Sequence, residues 1–153
     1  MTEVIVVELP GNPVGKGRPR FRTVTTTAGR SFVTAYTPAK TRHYSEDLAW
    51  AAKIAMKGRK PLLGPLKANV TAFFAVPPSW TMRKRDAALA GSVFPTGRPD
   101  CDNVQKGAWD ALNGIVFADD AQIVKAEVSK IYAEQPKLRI EIRTLEPFGE
   151  WRR

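Results

Sequence analysis

Across residues 66–76 the side chains alternate cleanly, with Leu66, Ala68, Val70, Ala72, Phe74 and Val76 on one side and Lys67, Asn69 and Thr71 opposite. A repeat of two is that of a β-strand, and a single apolar side means that this side lies on a core. Pro77-Pro78 stops the run, because proline has no N–H to give a ladder. Such a strand requires partners in a sheet and a layer over its apolar face. Candidate partners lie at both ends of the chain. Residues 3–9, rich in Val and Ile, read as a short buried strand that stops at the turn signal Pro10-Gly11-Asn12-Pro13. Leu138, Ile140 and Ile142 alternate with Lys137, Arg139, Glu141 and Arg143 in a last strand. Residues 123–132 read as one more, and Glu134-Gln135-Pro136 as the turn that joins these two in a hairpin.

The covering layer is helical. Thr37-Pro38 suits a helix start, with Thr as N-cap and Pro at the first helical position. Tyr44, Leu48, Ala51 and Ala55 then share one face, and Gly58 is a stop. Residues 81–90 read as a short basic helix carrying Arg83-Lys84-Arg85. Residues 102–113 read as a helix with the stripe Val104, Ala108, Ala111 and Leu112, closed by Asn113-Gly114. Residues 31–35 form a small strand or hairpin arm. Ahead of them, residues 15–22 place Lys16, Arg18, Arg20 and Arg22 among glycine and proline, which predicts an extended loop. The class is α+β (mixed α/β): a single domain over residues 1–145, with one mixed sheet and helices packed on it. Residues 146–153 read as a loosely ordered C-terminal tail.

Composition narrows the chemistry. No run approaches the ~20 apolar residues of a membrane helix, so no membrane partner is expected. The first residues lack the pattern of a signal peptide, which predicts a soluble, cytoplasmic protein. Cys101 is the single cysteine and His43 the single histidine, which excludes an internal disulfide and a multi-cysteine zinc site and argues against a Ser-His-Asp triad. Carboxylates, lysines and arginines must carry any catalysis. The formal net charge is +9, yet it is unevenly spread. Residues 99–120 hold Asp100, Asp102, Asp110, Asp119 and Asp120 with one base, Lys106, a local charge of −4. The remainder carries +13. A basic body attracts polyanions, and five carboxylates would repel a phosphate backbone unless a divalent cation sits among them.

Asp102 stands where an N-cap would, so capping alone accounts for one acid. Asp102, Lys106 and Asp110 follow at i, i+4 and i+8 on the face opposite the apolar stripe, where Asp110 is solvated or pairs with Lys106. Asp100 precedes the helix in an extended segment, so Asp100 and Asp102 can converge on one cation. A reversal at Gly114 would return Asp119-Asp120 toward the helix. Mg²⁺ takes oxygen ligands and keeps several waters, so two or three carboxylates plus a substrate phosphate suffice.

These residues carry a family resemblance. The segments from Arg98-Pro99-Asp100-Cys101-Asp102-Asn103 to Lys106, Asp110-Ala111-Leu112-Asn113-Gly114, and Asp119-Asp120-Ala121-Gln122-Ile123-Val124 resemble the RusA-type Holliday junction resolvases. Gly15-Lys16-Gly17-Arg18-Pro19-Arg20 and Tyr36-Thr37-Pro38 resemble the N-terminal half of that family. The match keeps its order over roughly residues 4–143. It implies a homodimeric, Mg²⁺-dependent endonuclease (Mn²⁺ being an alternative ion) that nicks four-way DNA junctions symmetrically, in recombination and repair. By position, Asp100, Asp102 and Asp120 match the essential acids, Asp119 a less critical neighbour in the metal site, and Lys106 a lysine needed for cleavage. Cys101 departs from the larger apolar residue usual there and is expected as a small buried hydrophobe.

On this reading Asp100, Asp102 and Asp120 hold the metal, while the Lys106 ammonium faces the charge that develops on phosphorus. Lys16, Arg18, Arg20 and Arg22 are the expected phosphate contacts, with Arg83, Lys84 and Arg85 as weaker candidates against a solvated helix face. Trp50 and Trp109 are expected in core or interface packing. The rival readings are a non-catalytic nucleic-acid-binding module and a nuclease for other branched DNA.

Overall fold

A computed structural model of the chain describes residues 2–146. Of the expected tail, residues 147–153, with Trp151, lie outside the described residues. Six strands and three helices follow in the order β1 (Val4–Pro10), β2 (Arg20–Thr25), β3 (Ser31–Tyr36), α1 (Ala39–Met56), β4 (Leu66–Ala75), α2 (Met82–Leu89), α3 (Cys101–Leu112), β5 (Ile123–Ala133) and β6 (Lys137–Thr144). A mixed four-stranded sheet runs β1-β6-β4-β5, and β2 with β3 forms a separate two-stranded one. The α+β class is confirmed.

The alternation read in the sequence sets the core. Leu66, Ala68, Val70 and Ala72 of β4 are buried, as are Leu138, Ile140 and Ile142 of β6 and Ile5 and Val7 of β1. The registers bring these together: Ile5 and Ala68 both oppose Ile142, while Val7 and Val70 both oppose Ile140. Leu48, Ala52 and Met56 of α1 and Val104, Ala108, Ala111 and Leu112 of α3 complete the same cluster. The sheet's other face is mainly polar, with Val4, Val6 and Phe73 set among its charged residues. There Glu8 pairs with Lys137 and Arg139, and Glu141 with Arg139 and Arg143. No helix among the described residues is long and apolar enough to cross a membrane.

Several expectations are corrected. β5 and β6 are not a hairpin: β5 pairs with β4 in parallel, and β6 lies antiparallel between β4 and β1. Between two neighbours β6 makes two ladders and buries its apolar row, whereas beyond β5 it would make only one. The turn before β6 instead carries the chain past the end of β4, where Gly11 N–H donates to the Pro136 carbonyl at 2.9 Å. Arg20 and Arg22 belong to a strand, because Ser31–Tyr36 offers their backbone a ladder. Helix α1 starts one residue late, with Pro38 at the N-cap position and no side-chain cap. Its buried face runs through Leu48, Ala52 and Met56, with Tyr44, Ala51 and Ala55 at the margin. Trp109 is buried as expected, but Trp50 is 65% exposed and outside the core.

Candidate active site

Helix α3 starts one residue earlier than expected, and its cap stands two residues earlier. Asp100, not Asp102, is the N-cap: its backbone is extended, and its Oδ1 accepts from Asn103 N–H at 2.8 Å. Asp102 therefore lies in the first turn, where the helix dipole favours its charge. Cys101, the first helical residue, is exposed rather than buried, because the buried stripe of an α-helix begins three residues on, at Val104. Lys106 pairs with Asp102 at 3.0 Å across one helical turn. Asp110 pairs neither with water alone nor with Lys106; its partner is Lys16, at 2.5 Å.

One glycine makes that last pair possible. A Cβ on Gly15 would stand 2.7 Å from the Pro99 Cβ and 3.1 Å from the Asn103 Cβ, whereas one on Gly107, 3.4 Å from the Lys16 nitrogen, would make an ordinary contact. Without a side chain on Gly15 the basic loop lies directly on α3, and Lys16 N–H donates to the Asn103 carbonyl at 3.0 Å. The loop thus delivers positive charge to the acidic helix. Residues 9–45 contain seven Lys and Arg and no Asp or Glu, so the basic segment is unopposed by acids of its own.

Beyond α3 the chain reverses as expected, with Gly114 at a positive φ of 77°. Val116 and Phe117 are fully buried and anchor the returning segment. Asp119 then caps a short 3-10 turn, Asp120–Gln122, accepting from Ala121 N–H at 2.9 Å. Gln122 locks this turn in place. Its Oε1 accepts from the N–H groups of Ala118 and Asp119, and its Nε2 donates to the Leu62 and Gly64 carbonyls. Gln122 was missed, although the spacing Asp119-x-x-Gln122 is that of a capping box and was readable.

The Asp120 carboxyl sits above the usual carboxylate range. Burial is the main cause, followed by a hydrogen bond and charge from Asp119 and the charge of Asp110. So the reversal brings Asp120 into the field of Asp110, while Asp102 stands eight residues away on the same helix, about 12 Å along its axis. Among the described residues no three His, Cys, Asp or Glu side chains form a ready metal cage. The donor chemistry nonetheless fits Mg²⁺: every candidate ligand is a carboxylate oxygen, and the mutual repulsion at Asp119 and Asp120 is what a divalent cation relieves.

The other predicted contacts are distributed over the surface. Arg18, Arg20 and Arg22 are exposed, and the Arg22 guanidinium lies 5.4 Å from the centre of the Tyr36 ring. Arg83, Lys84 and Arg85 lie on α2, whose N-cap Thr81 accepts from Lys84 N–H. The Lys84 ammonium stacks 3.8 Å from the centre of the Trp80 ring.

The segment carrying these acids and the basic loop falls within a match of residues 10–143 to the family model of Endodeoxyribonuclease RusA. The chain belongs to the RusA family. It is accordingly an endodeoxyribonuclease. An uncharacterized protein, YqaN of Bacillus subtilis (strain 168), is 34% identical over 135 residues, which cover 87% of this chain and 91% of that relative. A crossover junction endodeoxyribonuclease rusA of Lactococcus phage r1t is 35% identical over 79 residues, 51% of this chain and 53% of the phage protein. RusA membership makes Holliday junction cutting the activity that the site has to account for.

Proposed function

We propose that this RusA-family protein is a Mg²⁺-dependent, structure-selective nuclease that resolves four-way DNA junctions by paired symmetrical nicks, acting in recombination and repair in the cytoplasm. The observation that carries this reading is the seating of an acid-free basic segment on the acidic helix, through Gly15, Lys16 and Gly107. DNA drawn by the first is thereby presented to the carboxylates of the second.

Asp100, Asp102 and Asp120, with Asp119 beside them, are the residues that would hold one or two such ions. An ion held there would supply Lewis-acid polarisation of a scissile phosphate and would lower the pKa of a water molecule so that it can act as hydroxide. The chain's own residues do the rest. Lys16 and Arg18 steer the backbone. Asp100 keeps one carboxylate oxygen outside its capping bond, and the Lys106 ammonium moves from Asp102 to the charge developing on phosphorus. A homodimer supplies two sites for two cuts. Trp50 and Ile54, exposed one turn apart on α1, offer a second copy an apolar face to cover.

The test is an end-labelled four-way junction incubated with and without Mg²⁺, with linear duplex as control. Paired nicks confined to the junction are expected, and sedimentation should give a dimer. Asp102→Asn should lower cleavage by ~10³-fold or more while binding is kept or improved, since a charge facing phosphate is lost. Cleavage retained by that variant would refute the assignment. Binding with no cuts at several junction sequences would favour a binding module.

A further inference from the structure

A cavity of about 450 Å³ is lined by Pro99, the neighbour of Asp100 in the chain, and by the ends of the parallel strands β4 and β5. Its walls carry three cations, Lys40, Arg98 and Lys130, and no carboxylate. They also carry two aromatic rings, Phe74 and Tyr132. Cations for a phosphate and flat rings for a base are what a nucleotide needs, and the volume falls within the roughly 300–1,000 Å³ of small-ligand sites.

The walls are held in place. The Lys130 ammonium donates to the Gly97 carbonyl at 2.6 Å and lies 5.8 Å from the centre of the Phe74 ring, which ties the loop before α3 to β5. Tyr132 is held edge-on by Trp80, with ring centres 5.2 Å apart. Asn12 also lines the cavity, and its Oδ1 accepts from Ala75 N–H at 3.0 Å. That bond fixes the amide and leaves its NH₂ as a donor. Lys40 and Arg98 form no ion pair among the described residues. Both also line a second cavity, of about 540 Å³, that reaches Asp100, Arg18 and Arg20. One cationic groove therefore runs from the basic loop past Asp100 into the aromatic cavity.

Resting on the nuclease reading above, we propose that this cavity receives the nucleotide next to the scissile phosphate and sets which base sequence is cut. The base stacks on Tyr132 and Phe74, Lys40 and Arg98 take the flanking phosphate, and the Asn12 amide donates to an acceptor on the base edge.

The experiment uses four-way junctions that differ only in the base pair beside the cut. Asn12→Asp keeps the acceptor for Ala75 and removes the donor, so it should change the ranking of cut sequences by about tenfold or more. Arg98→Gln should slow all sequences alike, as a phosphate contact does. A wild-type ranking and rate in both variants overturns the proposal. A second readout needs no cutting: 2-aminopurine beside the branch, with Ca²⁺ in place of Mg²⁺, should be quenched on binding by the wild type and not by Tyr132→Leu. If the wild type cuts nothing but this quenching is seen and is lost in Tyr132→Leu, the nuclease reading falls and the nucleotide site stands. Quenching that is absent, or equal in the two proteins, overturns the site whether or not junctions are cut. Thermal melts of all three variants establish that they fold.

Discussion

The acidic and the basic regions of this protein are built in opposite ways. Helix α3 puts five residues into the core and the returning segment after it adds Val116 and Phe117, so the carboxylates stand on elements anchored in the core. The β2–β3 arm has no buried residue on either strand. Phe21 is 70% exposed and Val33 67%, and an isolated two-stranded hairpin has little stability of its own. Groups that must hold a reacting phosphate need fixed geometry, whereas groups that gather a polyanion need charge and reach. Among the described residues the arm is thus expected to open at low free energy and the acidic helix at high.

One residue type occurs in both regions and tests the contrast between them most directly. Phe117→Ala should cost ~3–5 kcal/mol of stability, as truncation of a buried Phe does. Phe21→Ala should stay within about 0.5 kcal/mol. Denaturant midpoints with an unchanged slope would measure both, and a comparable loss at Phe21 would mean that the arm packs on something in solution. Next in size is the joint between the regions. Gly15→Ala forces its Cβ against Pro99 and Asn103, which should cost ~1–3 kcal/mol. It should also lower cleavage, because the Lys16 contacts to Asn103 and Asp110 are disturbed; a melt and a junction assay on the same sample would show whether the two losses go together.

Removing the arm's charge should leave the core untouched. Arg18→Gln, Arg20→Gln and Arg22→Gln combined should flatten the salt dependence of duplex binding by about 0.9 log unit per lost phosphate contact, with an unchanged melting temperature. An unchanged salt slope would make these side chains solvated surface. The smallest effect lies on the outer face of the sheet, away from both regions. The Arg143 hydrogen bond, with Arg139 assisting and burial opposing, holds Glu141 below the usual carboxylate range. Its stabilisation is therefore complete above the unfolded pKa of ~4.3 and is lost as pH falls through the lower folded value. Melting curves from pH 7 downward should show Glu141→Gln less stable at neutral pH and the gap to the wild type closing in acid.

How much of this could be read in advance follows the range of each interaction. The β4 alternation and the α3 stripe depend on residues a few positions apart, and each was legible from spacing alone. The acids were legible as a group for the same reason, but the start of their helix was not. Either Asp100 or Asp102 can cap α3; the extended approach from Pro99 selects Asp100. Gln122 was readable in principle, since its cap partner stands three residues away.

What the sequence determined by itself is therefore the local periods, the caps and the separation of acidic from basic segments, because backbone geometry converts those spacings directly into faces and ends. The tertiary structure decided which elements and charges meet. It placed β6 between β1 and β4, since two ladders outweigh one. It also gave Asp110 to Lys16 rather than Lys106, and brought Asp120 into the field of Asp110. Those outcomes depend on through-space fit between segments far apart in the chain, such as the missing Cβ at Gly15 against Pro99 and Asn103, and no spacing within either segment encodes them.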